Sequence, residues 1–163
     1  MSTKILFPYQ YKIINNERLA DPFVYLNVNT QFGIRKVGFL VDSGSDTVIL
    51  PLSPYRFWFN FIPRAQDITI LGGVEGRGVT AYPGRITLQI NKENIETRCY
   101  FVKSDTMPLL GRLDIWDKFN WFFDNKRQQV VFYYPDLNLR ILYCSYPMTA
   151  GFYNYKALYE FFF

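Results

Sequence analysis

The 163-residue chain contains no histidine and only two cysteines, Cys99 and Cys144, with no C-x-x-C spacing. A Ser-His-Asp or Cys-His nucleophile system therefore has no imidazole base, and a His-based zinc site is excluded as well. Alanine is sparse, which disfavours a helical protein. No apolar run is long enough to cross a membrane, and no basic-plus-apolar signal segment opens the chain, so a cytoplasmic location is expected. The net charge is only +4, and its basic residues are scattered (Arg35-Lys36, Arg56, Lys126-Arg127). No stripe suited to nucleic acid results, and these side chains read as a solvated surface.

What is present is aromatic and β-prone. The chain has 16 phenylalanines, 13 tyrosines and 3 tryptophans, and 49% of its residues are hydrophobic. That is enough for one domain with a substantial core, and too short a chain for two ordinary ones. Any chemistry must run on carboxylates, Lys, Tyr, Ser or Cys.

Strand and turn signals alternate along the chain. Tyr9 to Ile14 precedes the turn-prone Asn15-Asn16-Glu17, and Val24, Leu26 and Val28 alternate with polar neighbours as a half-buried strand does. A loop from Asn29 to Gly33 leads into Val37 to Val41. Pro51 to Pro63 is proline-punctuated and aromatic and carries no clear period. Ile68 to Leu71 and Val79 to Tyr82 flank the glycine-rich G-G-V-E-G-R-G, which reads as a hairpin with a pliable tip. Arg85 to Ile90 alternates, turns at Asn91 to Asn94 and returns through Ile95 to Val102. The spacing of Leu113, Trp116 and Phe119 predicts a short helix, and Trp121 to Phe123 with Val130 to Tyr134 predicts a last hairpin. The sum is an all-β domain, a closed β-barrel with one short C-terminal helix. Residues 136–163 differ in kind: they are rich in tyrosine and phenylalanine, end in Phe161-Phe162-Phe163, and are expected to pack across a dimer.

One stretch stands out, F-L-V-D-S-G-S-D-T-V-I-L-P from Phe39 to Pro51. An apolar strand runs directly into Asp42, Gly44 permits a tight turn behind it, and Val48-Ile49-Leu50 leads away. An Asx-type turn is the ordinary reading of D-S-G. Its setting between two buried strands instead holds a carboxylate at the lip of a core. The glycines at 72, 73, 76 and 78 do not make a phosphate loop, because no Lys-Ser/Thr follows and no strand-loop-helix pattern surrounds them.

Three pieces in order resemble the retropepsin-like aspartic proteases: V-D-S-G-S-D-T-V-I-L, the glycine-tipped I-L-G-G-V-E-G-R-G-V, and L-L-G-R-L-D from Leu109 to Asp114. The resemblance runs from about Val24 to Tyr134, within a domain taken as residues 1–135, with 136–163 as an extension. It implies a single D-S-G lobe in which Asp42 is the catalytic carboxylate, Ser43 locks two active-site loops together and Gly44 contacts substrate. It further implies that Ser45, Asp46 and the flap residues Gly72, Gly73, Val74, Glu75 and Gly76 bind substrate. Thr47, Leu110, Gly111 and Arg112 support the site, with Arg112 paired to Asp46. Ser43 stands where many viral members have Thr, and Glu75 puts a charge at the flap tip.

Peptide hydrolysis by this route needs two carboxylates on one water, one accepting a proton while the other donates. A second D-[S/T]-G is absent, since Asp114, Asp117, Asp124 and Asp136 lack the following residues. The second Asp42 must then come from an identical subunit across a two-fold axis. The expected protein is a homodimeric aspartic endopeptidase acting on peptide or unfolded protein, with no metal or organic cofactor. The rival readings are a silent module of the same fold that binds peptide or dimerises, and a β-barrel that binds single-stranded nucleic acid.

Overall fold

The computed structural model describes residues 4–72 and 78–134. Strand β1 (Lys4–Pro8) is followed by a hairpin of β2 (Gln10–Ile14) and β3 (Glu17–Asp21), whose turn residues Asn15 and Asn16 both have positive φ, at 51° and 64°. Asparagine tolerates that region and suits the tight hairpin turn whose twist matches the strands. Next come β4 (Phe23–Thr30), β5 (Gly33–Val41), β6 (Val48–Pro51) and helix α1 (Leu52–Trp58). Beyond a 3₁₀ turn at Ala65–Asp67 lie β7 (Thr69–Leu71), β8 (Val79–Ile90), β9 (Glu93–Val102) and the two-residue β10 (Leu109–Leu110). Strands β11 (Asn120–Asp124) and β12 (Gln129–Tyr133) form the last hairpin.

The main sheet has seven strands in the order β4-β5-β10-β6-β9-β8-β7. Strand β4 also pairs with β8, through Asn27 with Gln89 and Val28 with Leu88, so the sheet curls back on itself. Pro83 lies within β8, facing Tyr100 of β9. On its other side β7 reaches only Ala81 and β4 only Leu88, so its missing N–H falls where no ladder bond is required. A second sheet, β1-β12-β11, covers one side of the core and turns Phe7, Val130 and Phe132 inward.

The core follows the period of two. Val24, Leu26 and Val28 of β4 and Val37, Phe39 and Val41 of β5 are all buried, with Leu88 and Ile90 of β8 and Phe101 of β9. Phe101 stacks on Phe61 with ring centroids 4.3 Å apart.

One expectation changes. The predicted C-terminal helix is instead a run of turns from Leu113 to Lys118. Asp114 sits at φ 68°, the left-handed region, which interrupts a right-handed helix. Two isolated helical bonds survive, one across Asp114 from Trp116 N to Arg112 O and one beyond it from Phe119 N to Ile115 O, both at 2.9 Å. The buried pair is Ile115 and Phe119 rather than Leu113 and Trp116. The helix lies in the unassigned segment: beyond the extended Ser53, Tyr55, Trp58 and Phe59 turn one side toward the core at helical spacing. Pro8 also closes a strand, β1, for which no sequence signal was read, and residues 136–163 lie outside the described residues.

Candidate active site

Alternation along β5 positions the carboxylate. Phe39 and Val41 face the core, so Leu40 and Asp42 face the other way, and both are half-buried. The chain turns at once: Ser45 N–H donates to the Asp42 carbonyl at 3.2 Å, and Gly44 N–H donates to Asp42 Oδ1 at 2.9 Å. The Asx-type turn and the poised carboxylate are therefore one feature. Ser43 and Gly44 are exposed on its crest, and Ser45 Oγ donates to the Thr47 carbonyl at 2.9 Å.

The segment after Pro108 is threaded between the two strands of this loop. Leu109 pairs in parallel with Leu40 and antiparallel with Ile49, and Leu110 pairs with Val41. Asp42 N–H donates to the Leu110 carbonyl at 3.1 Å, Arg112 N–H to the Ser45 carbonyl at 3.0 Å, and Leu113 N–H to the Asp46 carbonyl at 2.7 Å. Gly111 makes the approach possible. A Cβ there would lie 2.5 Å from the carbonyl carbon of Thr47 and 2.7 Å from its nitrogen. No side chain could fit.

The Arg112 guanidinium forms an ion pair with the Asp46 carboxylate and lies 5.5 Å from the centre of the Trp116 ring. Both partners keep substantial solvent exposure, so this pair orients more than it stabilises. Sequence reasoning missed another ion pair, a two-point fork from Arg98 on β9 to Asp114. No local pattern links those two residues. Their meeting depends on the register of β9 against β6. The Arg98 guanidinium holds the Asp114 carboxyl below the usual carboxylate range, against the opposing effect of burial.

Of the residues expected to form a flap, Gly72 is described and has open space around its α-carbon. Gly73, Val74, Glu75 and Gly76 lie outside the described residues. Strands β7 and β8, on either side of the glycine-rich segment, pair in register, Thr69 with Ala81, Ile70 with Thr80 and Leu71 with Val79. Cys99 is buried beneath the site, and burial pushes its thiol up to about 12, leaving it un-ionised at neutral pH. Among the described residues no three His, Cys, Asp or Glu side chains cluster to hold a metal, and no helix is long and apolar enough to cross a membrane.

Among solved structures, the chain is similar to a retropepsin-like aspartic protease from Rickettsia conorii, with 15% identity and a TM-score of 0.54 over 82% of this chain and 93% of that one. It is also similar to the EIAV protease complexed with the inhibitor HBY-793, with 24% identity and a TM-score of 0.48 over 65% of this chain and 93% of that one. No family model matches the sequence, and no curated protein does. The fold is retropepsin-like.

Proposed function

We propose that the protein is an aspartic endopeptidase in which two identical chains each contribute Asp42 to one water-activating pair. The observation that carries this reading is the half-exposed Asp42 carboxylate, held in a turn whose backbone is tied at three points to the Leu110–Leu113 segment. The turn is tied down before substrate arrives, and one chain supplies one D-S-G carboxylate where the reaction needs two. The β4–β8 contact is read as the closure of a barrel that carries this turn on its rim.

Two carboxylates brought together at a two-fold axis cannot both ionise, so they share one proton. The ionised member accepts a proton from water as its oxygen attacks the peptide carbonyl carbon, while the protonated member donates to the carbonyl oxygen. A proton passed to the amide nitrogen then releases the amine as the C–N bond breaks. Extended peptide adds between the active-site floor and the hairpin of β7 and β8, pairing through main-chain hydrogen bonds, with side chains alternating into apolar pockets. Asp46, oriented by Arg112, receives backbone N–H groups of the peptide.

The test is cleavage of an unfolded protein mixture from pH 3 to 7 by the wild type and by Asp42→Asn. New termini should appear with the wild type only, while both proteins sediment as dimers. A folded dimer that cleaves nothing at any pH sinks the endopeptidase reading and leaves a peptide-binding or dimerisation module.

A further inference from the structure

The edge of β9 next to the site has an unusual partner. Its ladder with β6 begins at Val48 and Cys99, because Thr47 has left the sheet to lie against Gly111. One residue earlier, Arg98 N–H meets no strand of that ladder and donates to Asp114 Oδ2 at 2.8 Å. The same side chain closes a fork, with Nε 3.0 Å from Oδ2 and Nη2 2.8 Å from Oδ1. Thr97 is fully buried and sets its hydroxyl 3.4 Å from the Leu113 carbonyl and 3.5 Å from Asp114 Oδ2.

Three N–H donors on one carboxylate, one of them main chain, leave it little freedom. The carboxylate is delivered by a residue at φ 68°, a conformation that aspartate tolerates better than most residues. Asp114 directly follows Leu113 and lies two residues after Arg112, the two residues whose N–H groups hold Asp46 and Ser45. Across the ladder Arg98 faces Arg85, a like-charged pair, and Arg85 is occupied by Glu96 at 2.8 Å. Without Asp114, Arg98 would lose its fork and face a second cation.

We infer that Arg98 and Asp114 are positioning residues that fix the far end of the Leu110–Leu113 segment and through it the geometry of the Asp42 turn. The effect on turnover rests on the endopeptidase reading above; the effect on the turn does not. The test compares wild type, Asp114→Asn, Arg98→Lys and the double variant as full chains, with Arg85→Ala as the control. Amide hydrogen exchange at Asp42, Arg112 and Leu113 is measured beside kcat and KM. In the clamp variants these three amides should exchange about ten-fold faster or more, while those of Ile86 and Leu88 keep their protection. Turnover should fall roughly 10- to 100-fold in kcat, with KM within about 3-fold. Lysine at 98 keeps the charge but not the fork, so it should not rescue, and the double variant should be no worse than the worse single one.

Unchanged exchange at the three amides, or losses that add in the double variant, overturns the inference. If Asp114→Asn does not fold, Arg98→Lys alone decides it. If the wild type cleaves nothing, the exchange data still decide the clamp, and the endopeptidase reading fails on its own.

Discussion

Replacing Gly111 with alanine adds one methyl group where the backbone of Thr47 already lies. The new Cβ would sit 2.5 Å from one backbone atom and 2.7 Å from another, and neither belongs to a flexible side chain that could swing away. Ordinary contact is regained only if the Leu110–Leu113 segment and the Asp42 turn separate by about 1 Å, a displacement that can cost on the order of 100-fold in rate when it falls on a reacting group. The bonds at 3.1, 3.0 and 2.7 Å that join Asp42, Ser45 and Asp46 to that segment would stretch or break together. Overpacking of this kind costs about 1–3 kcal/mol. In a chain of this size that corresponds to roughly 2–12 °C in Tm. In the endopeptidase reading the barrier then rises by about 2.7 kcal/mol, a loss comparable to that in stability, so rate and Tm should fall together. The assay pairs thermal unfolding with initial rates at a temperature where both proteins are folded. Gly72→Ala, where a Cβ meets nothing within 4 Å, serves as the stability control and should leave Tm nearly unchanged. A Gly111→Ala protein with wild-type Tm and wild-type rate would refute the close-approach argument.

Other outcomes follow from single residues. Phe101→Ala removes a 1%-exposed ring stacked on Phe61, and urea unfolding should show a loss of about 3–5 kcal/mol. Asp124 is held below the usual carboxylate range, first by the Arg127 backbone N–H and then by its side chain, so the unfolded chain binds more protons than the folded one under acid conditions. That stability is present above the unfolded value near pH 4 and is lost as pH falls through the lower folded value. Tm should thus decline less steeply below about pH 4 in Asp124→Asn than in the wild type; equal slopes would contradict the assignment. In a Cys144→Ser background, Cys99 should resist a thiol reagent at pH 8 in the native protein and react at once in denaturant, since burial holds its thiol un-ionised. Rapid native labelling would show that the strand opens.

Local chemistry made much of the fold legible in the sequence. Alternation in Val24-Leu26-Val28 and Ile86-Leu88-Ile90 specifies strands with one face inward, because successive side chains of a strand point to opposite sides. The D-S-G turn was legible for the same reason: its Asx bond joins residues two apart, and the apolar runs on either side are contiguous with it. The short C-terminal helix was misread because spacing alone does not reveal a left-handed residue. Asp114 adopts that conformation to reach Arg98, sixteen positions earlier, and the period of Leu113, Trp116 and Phe119 has no bearing on that choice. Helix α1 was missed because its helical run after the extended Ser53 is short and shows only in Tyr55, Trp58 and Phe59, residues half-covered by a core assembled from distant strands. The sequence by itself determined most of the strands, the hairpin turns and the carboxylate of the D-S-G turn, all set by neighbours a few bonds away. Only tertiary structure decided that Leu109 runs between Leu40 and Ile49, that Gly111 lies on Thr47, and that Arg112 and Arg98 each find their own aspartate. Those contacts join residues up to 69 positions apart, and their register is fixed by the shared burial of both sheets rather than by any local preference.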